Sequence, residues 1–514
     1  MLARLEDYSP TILILLGVGV LYILTKGVQQ GIAYHRQSWI IRTNGCKPCP
    51  AYPHKDPIFG LDLFLINLKL SRDGGFLEGV RNRYKALKCR TFSQITLGER
   101  MIMTCEPENV KAILATQFKQ FELPPRRKNA FDPIFGHGIF TTDGADWEAS
   151  RALLRPSFTR SQVGDIETFE EHISKLLARI PRDGSTVDLQ ELFFELTLDS
   201  ATDFLFGHST NVLDRSDPNR KRGQRFGEAF AYVTMKAGLE GRVGKLATIL
   251  PDKRYKVDTK YVHEYVSNYV REAVQLRKDS PEEKQADEEN SGRYVFLEHL
   301  AKADYPEKKI QDELLNILLA GRDTTAGLLS FLFHLLARHP QVWDKLREEA
   351  LALGSGTPTF EHIKSMKYMQ WVLNETLRLQ PIVPANARVA NCDTTIPTGG
   401  GPDGKSPVFV KAGQMVAYQV YVMQRREDLF GEDATEFKPE RWETLRPSWN
   451  YLPFNGGPRI CIGQQFALIE ASYAVARILQ TFKSIEKRDD SDDTEYLTVT
   501  SQVRAGTKVA LTPA

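Results

Sequence analysis

FNGGPRICIGQQFA, at residues 454–467, is the stretch of this chain whose pattern constrains the fold most strongly. Gly456 and Gly457 permit backbone angles that other residues avoid, and the ring of Pro458 fixes a further one. Apolar residues then recur at helical spacing from Phe466 onward. The pattern predicts a rigid loop that leads directly into a helix.

Cys461 stands at the junction of this loop and this helix. A helix N-terminus favours a thiolate over a thiol, and Gly463 leaves room for a ring or a backbone close to the sulfur. A buried structural cysteine is the ordinary alternative. The glycines and the basic Arg459 favour the other interpretation, in which the loop lies beneath a planar cofactor and Cys461 binds its metal.

A second pattern interrupts the longest predicted helix, at residues 307–339, which ends before Pro340. Its middle, 320–325, reads AGRDTT and places a glycine, two charges and two hydroxyls in an otherwise apolar helix. Thr324 can donate a hydrogen bond to the carbonyl of Ala320, four residues earlier. Such a break in local preference indicates either a functional site or a satisfied polar kink.

These patterns resemble the cytochrome P450 family, whose Phe-x-x-Gly-x-Arg-x-Cys-x-Gly signature is met from Phe454 to Gly463. The resemblance covers the chain from about residue 45 to the C-terminus. It implies a mainly α fold with a minor β portion, in which haem b lies between the long central helix and the loop. Cys461 would be the axial iron ligand, and Phe454, Gly463 and Ala320 would lie against the haem.

The remaining landmarks of that family occur in the expected order. Glu375 and Arg378 share a helix face and, with Arg441, resemble a structural triad that we expect to be buried and to brace the loop without reacting. By the same resemblance, the haem propionates would be held by Trp147, as an indole N–H donor, Arg151, Arg388 and Arg459. A solvated surface arginine is the alternative for each of the three.

The resemblance also implies the reaction. A thiolate ligand pushes electron density onto iron and favours O–O cleavage, for which Asp323 and Thr324 would deliver the protons. The chain carries no flavin or nicotinamide domain, so electrons would come from NADPH through a separate flavoprotein, NADPH-cytochrome P450 reductase, with cytochrome b5 as a second candidate donor. A membrane haem protein without turnover is the remote alternative, which Asp323 and Thr324 disfavour.

Four stretches, 52–64, 320–330, 399–404 and 454–467, resemble the fungal n-alkane and fatty-acid hydroxylases, which implies oxidation at the terminal methyl of a long chain. Gln380 and Ala387 stand where we expect an aromatic residue and a phenylalanine in relatives. A tailoring oxidase that acts on a methyl or chain carbon of a polyketide-like compound therefore stays open. The residues predicted to line the pocket, each with ordinary core packing as its alternative, are Phe131, Ile134, Phe135, Ile317, Ile382, Val383 and Ala387.

Residues 11–25 read TILILLGVGVLYILT, without a charge, and basic residues follow with no acid before Asp56. The positive-inside rule then predicts an uncleaved single-pass anchor in the endoplasmic reticulum membrane and a cytosolic catalytic domain, with a cleaved signal peptide as the alternative. The expected division is a 1–28 anchor, a 29–57 proline-rich linker and a 58–514 haem-thiolate catalytic domain.

The amino-acid composition also restricts the possible class of protein. Of the 514 residues, 42% are hydrophobic, which is enough for a large core. The formal charge of +2 does not indicate the basic surface that binds nucleic acid. Six scattered cysteines form no disulfide framework and suit a reduced compartment.

Overall fold

The computed structural model describes residues 10–159, 166–244, 251–279, 295–302, 305–354, 356–490 and 495–514. Helices dominate these ranges, as the sequence predicted. The α-helices are α1 (Pro10–Thr43), α2 (Leu61–Asp73), α3 (Phe76–Leu87), α4 (Pro107–Lys111), α5 (Pro125–Phe135), α6 (Gly144–Leu154), α7 (Ile166–Arg179), α8 (Leu189–Phe206), α9 (Arg220–Val243), α10 (Lys253–Asp279), α11 (Phe296–Lys302), α12 (Glu307–Leu336), α13 (Pro340–Leu351), α14 (Phe360–Ser365), α15 (Lys367–Leu379), α16 (Val420–Met423), α17 (Glu427–Phe430) and α18 (Gln464–Thr481).

A minor β portion lies beside the helices. Its strands are β1 (Thr91–Thr96), β2 (Glu99–Thr104), β3 (Phe121–Glu122), β4 (Val187–Asp188), β5 (Asn386–Ala390), β6 (Thr394–Gly400), β7 (Ser406–Val410), β8 (Met415–Tyr418), β9 (Phe482–Lys487), β10 (Glu495–Leu497), β11 (Ser501–Val503) and β12 (Lys508–Pro513). The largest sheet has the order β1-β2-β8-β5-β3, in which only β2 and β8 pair in parallel. A second sheet has the order β4-β12-β9, and β6–β7 and β10–β11 form separate hairpins.

Helix α12 crosses the core, as its apolar sequence predicted. Nearly all of its residues are buried, and it packs most extensively against α8. Phe333 of α12 illustrates this packing, because its ring lies 5.2 Å from that of Phe193 on α8 and 6.3 Å from that of Trp343 on α13. The helix begins where the sequence predicted and ends at Leu336, slightly earlier than expected, because α13 begins at Pro340.

The N-terminal region differs from its expected division. Helix α1 continues to Thr43, so the predicted 29–57 linker begins as helix and is extended only beyond it. Among the described residues, no helix is both long and apolar enough to cross a bilayer, and the predicted transmembrane anchor is therefore not found. The apolar side chains of Ile58, Phe59 and Leu65, in and before α2, are more than half exposed.

A buried acid joins the helix after Cys461 to the core. Glu470 of α18 is 1% exposed and accepts a hydrogen bond from the Ser200 hydroxyl of α8. Its other carboxyl oxygen has no hydrogen-bond partner among the described residues. Burial raises the pKa of Glu470 to about 7 from its usual 4.5. The folded chain therefore favours the protonated acid over a pH range in which the unfolded chain ionises it.

Glu470→Gln should stabilise the fold at about pH 8 and have a much smaller effect at about pH 5. Glutamine resembles the neutral acid and does not titrate. The native carboxyl has a higher pKa in the folded chain than in the unfolded chain, so the free energy of unfolding falls as the pH rises from 4.5 to about 7. We expect the variant's gain in unfolding free energy to increase by about 2 kcal/mol between these two pH values. Urea unfolding measures it, with the exposed Glu264→Gln as the control; an equal effect at both pH values would contradict the account.

Candidate active site

The loop before Cys461 is a tight turn set by glycine. A short 3-10 turn, Gly457–Arg459, precedes the cysteine, whose N–H donates to the carbonyl of Phe454 at 2.9 Å. Gly457 has a φ of 67°, and a Cβ added there would lie 1.9 Å from the carbonyl oxygen of Leu114. Only glycine fits this position, so the predicted rigid loop leading into a helix is confirmed.

Cys461 lies just before α18, whose N-cap is Gly463. Burial nevertheless raises the pKa of its thiol, although a backbone hydrogen bond at Gly463 and the charge of Arg151 lower it. The helix N-terminus does favour the thiolate through the hydrogen bond at Gly463, but in the chain alone the loss of solvation outweighs both favourable effects. A metal ion bound at the sulfur would supply the missing stabilisation.

The loop around the sulfur keeps an open surface. Cys461 is exposed, and Ile460 before it is 41% exposed, although enough protein surrounds the thiol for burial to raise its pKa. Phe454, which precedes the turn, is half-buried. A thiol that is enclosed by protein and open on one side could bind the metal of a planar cofactor lying against that side.

Arginine side chains gather beside this loop. Arg459 donates to the carbonyl of Thr142 at 2.8 Å and to Asp143 Oδ1 at 2.6 Å, and its guanidinium lies 4.4 Å from the ring of Trp147. Arg151 donates to the carbonyl of Ile460 at 3.0 Å. Trp147 and both arginines that flank it therefore meet at the Cys461 loop, as predicted.

Arg388 and Arg127 extend the cluster from β5 and α5. Arg388 is 3% exposed and donates to the carbonyl of Ala387 at 2.7 Å, and both arginines donate to Asn386 Oδ1 at 3.2 Å. Arg127 Nε is buried without a partner among the described residues. Burial, then the charge of Arg388, lowers the pKa of Arg127 to about 10. Arg127 could not be predicted from the sequence, where its one signal is its place one helical turn before Phe131.

This cluster has more positive than negative charge. Burial lowers the pKa of Arg459 to about 10 as well, with Arg388 and Arg151 contributing and Asp143 opposing. Among the described residues, Asp143 is the one carboxylate that contacts these arginines. It also pairs with Lys128 at 2.7 Å. Buried guanidinium groups without counter-ions are costly. The arrangement fits a ligand that brings carboxylates, such as the propionates of haem.

The polar segment of α12 forms two local contacts. Thr324 Oγ1 donates to the carbonyl of Ala320 at 2.6 Å, which confirms the predicted hydrogen bond. Arg322 Nη1 lies 2.6 Å from Asp323 Oδ1, and both side chains are buried. Burial raises the pKa of Asp323, and Arg322 acts in the opposite direction. The pairing of Arg322 with Asp323 was not expected from the sequence, because consecutive residues on a helix normally face apart.

The predicted triad is assembled and buried. Arg378 Nε and Nη2 donate to the two carboxyl oxygens of Glu375 at 2.8 and 2.9 Å, and neither side chain has any exposed surface. Arg441 Nε donates to Glu375 Oε1 at 2.8 Å. Arg378 Nη1 also donates to the carbonyls of Gln424 and Ala434. The triad therefore fixes the segment that leads into the Cys461 loop.

The predicted pocket residues lie in different parts of the core. Those of α5 and α12 share one hydrophobic cluster, and Ile382 belongs to another, which meets α12 at Gly327. Val383 is 37% exposed, and Ala387 lies in β5 opposite Ala417 of β8. The first group comprises Phe131, Ile134, Phe135 and Ile317.

The chain is similar to known proteins over most of its length. The family model for cytochrome P450 matches residues 60–508. Among curated relatives, cytochrome P450 monooxygenase himC of Aspergillus japonicus is 45% identical over 510 residues, which cover 99% of this chain and 91% of the relative. Cytochrome P450 52A13 of Debaryomyces hansenii is 45% identical over 463 residues, 87% of this chain and 88% of the relative.

A third relative, cytochrome P450 monooxygenase FPY7 of Fusarium mangiferae, is 41% identical over 458 residues, 88% of this chain and 87% of the relative. These matches agree with the loop, the central helix and the triad described above. The chain belongs to the cytochrome P450 family and is a monooxygenase, an oxidoreductase, of that family.

Proposed function

We propose that the Cys461 loop and the arginine cluster would hold one haem b, with the Cys461 sulfur bound to its iron. The observation that supports this most directly is the gathering of Arg127, Arg388 and Arg459, whose described contacts include one carboxylate, that of Asp143. Two propionates would balance that charge, and charge-assisted hydrogen bonds from guanidinium groups suit them.

The other predicted haem contacts have supporting positions. Arg151 donates to the carbonyl next to Cys461, and its guanidinium lies 5.9 Å from the Trp147 ring, so both can reach the same propionate edge. Phe454 and Gly463 flank the cysteine on either side, and Ala320 would face the ring from α12. Arg127 joins this set through the side chain of Asn386, which it shares with Arg388.

A thiolate-bound haem would supply the activation of O2, in which one oxygen atom enters a C–H bond and the other leaves as water, with consumption of two electrons and two protons. Asp323 and Thr324 are proposed to pass the protons. The buried Asp323 carboxyl has a raised pKa and therefore holds a proton more readily than an exposed one. The Thr324 hydroxyl, one residue further, can both accept and donate a proton. Each must first leave the partner that it has here, Arg322 or the carbonyl of Ala320.

The proposed substrate is a long-chain alkane or fatty acid, oxidised at its terminal methyl. The four stretches that resemble the fungal chain hydroxylases support this proposal, and relatives named cytochrome P450 52A cover most of the chain. A tailoring oxidase of polyketide-like compounds is the second candidate. It is favoured by Ala387, whose small, half-buried side chain in β5 leaves room for a bulkier substrate.

Electrons are proposed to come from NADPH through a separate cytochrome P450 reductase, with cytochrome b5 as a further donor. We also infer that the enzyme works at the cytosolic face of the endoplasmic reticulum membrane. The exposed apolar side chains of α1 and of the segment around α2 support contact with lipid, because clustered exposed apolar residues mark membrane or protein contacts.

Thr324→Ala should leave haem binding intact but divert NADPH-derived electrons to hydrogen peroxide, because the hydroxyl that passes protons is lost. Product, peroxide and NADPH consumption are measured together in the reconstituted system. Ser330→Ala is the matched control, since Ser330 makes the same bond to a carbonyl four residues earlier, Ala326, in the same helix. Unchanged coupling in Thr324→Ala would remove Thr324 from the mechanism.

The substrate proposal is tested with alkanes and fatty acids of C12–C18, with the oxidised carbon identified by mass spectrometry. We expect turnover of these chains with incomplete terminal selectivity, because Ala387 widens the pocket. Ala387→Phe should shift the products towards the terminal carbon, since small changes in position strongly alter rate.

A wild-type enzyme that already yields terminal products alone would contradict the wide pocket and leave the simple chain hydroxylase. Absence of turnover with every chain, together with oxidation of a polyketide-like compound, would favour the second candidate.

A further inference from the structure

Arg242 lies in the last turn of α9, where it contacts the β10–β11 hairpin. Its guanidinium donates to the carbonyls of Leu497, at 2.9 Å, and Thr498. One turn earlier on α9, a Cβ added to Gly238 would lie 2.6 Å from the Thr498 carbonyl. The end of α9 and the tip of the hairpin are therefore held in close contact.

The same end of the hairpin also approaches the centre of the molecule. Ser501 N donates to the carbonyl of Ile382 at 2.9 Å, and Ser501 O lies 3.0 Å from a Cβ added to Gly327 of α12. Gly327 is about one helical turn beyond Thr324. Leu497 and Ser501 lie opposite one another in the β10–β11 pair, so the turn between them, at residues 498–500, is flanked by both sets of contacts. The hairpin thus connects the region of Thr324 and Ile382 to Arg242.

Arg242 lacks an acidic partner. No carboxylate contacts its guanidinium in the described part of the chain, and burial lowers its pKa. A guanidinium has five N–H donors, and the two carbonyls leave part of that capacity unused. Arg225 and Arg254, on α9 and α10, show the ordinary arrangement, because both pair with Asp258. A half-buried arginine without a counter-ion favours an anionic ligand.

We propose that Arg242 binds the carboxylate of a long-chain acid whose methyl end points towards Thr324. This inference rests on the proposed chain-hydroxylase function and narrows its substrate to acid-terminated chains. Arg242 is then a specificity-determining residue. It holds one end of the chain at a fixed place, so that the other end is presented for oxidation, which is the kind of orientation that raises rate and selectivity.

The test compares an acid with an uncharged ligand of the same length. Substrate-binding difference spectra of the full-length holoenzyme give the Kd for hexadecanoate and for methyl hexadecanoate. Arg242→Gln removes the charge but can still donate to a carbonyl, and Arg242→Lys keeps the charge. Arg222→Gln is the matched control, because Arg222 is an exposed arginine on the same helix.

Arg242→Gln should raise the Kd for hexadecanoate roughly 10- to 100-fold, as expected for loss of a charged hydrogen bond. The Kd for the ester should change less than about twofold, and Arg242→Lys should retain most of the acid affinity. Equal weakening for acid and ester would show a purely structural tether and overturn the inference, as would an unchanged Kd for the acid. If the wild type binds neither ligand, the proposed function itself fails, and this inference with it.

Discussion

The carboxylate of Glu375 is the group on which the arrangement of the site depends. Without any exposed surface, it accepts hydrogen bonds from Arg378, Arg441, the Trp442 indole and the backbone of Lys438. These contacts join α15 to the segment that leads to Cys461. Removal of one partner from a buried pair strands the other charge, at about 3–5 kcal/mol. Because four donors from α15 and from residues 438–442 converge on one carboxylate, these contacts hold the start of the segment that leads to the Cys461 loop.

A second feature of the molecule is a set of arginines without acidic partners among the described residues. The network at Glu375 is saturated within the protein, whereas Arg127 and Arg388 at one site and Arg242 at another lack acidic partners among the described residues. A fold retains such groups only if something compensates their loss of solvation. In the proposal, haem propionates do so beside Cys461, and a substrate carboxylate does so at the end of α9. The same physical argument thus supports both the cofactor and the substrate class.

Local patterns in the sequence predicted local structure well. The start of α12, the hydrogen bond from Thr324 to Ala320 and the buried pair of Glu375 and Arg378 all depend on residues within one or two helical turns. Arg127 was missed because its place beside Arg388 depends on the packing of α5 against β5, far apart in the chain. The net rise in the pKa of the Cys461 thiol could not be predicted, because it comes from burial, which no short motif reveals and which outweighs the helix N-terminus. The expected membrane-spanning anchor is not found, because no helix among the described residues is long and apolar enough to cross a membrane.

The central claim is that Cys461 binds the haem iron as a thiolate. The spectrum of the reduced carbon monoxide adduct tests this claim most directly. A thiolate-bound haem gives a strongly red-shifted Soret band in this adduct, because the sulfur donates electron density to iron. The wild-type protein should show this band, Cys461→His should lose it, and the control Cys105→Ala, which changes a buried cysteine outside the loop, should keep it. Haem binding with an unchanged spectrum in Cys461→Ala would contradict the account.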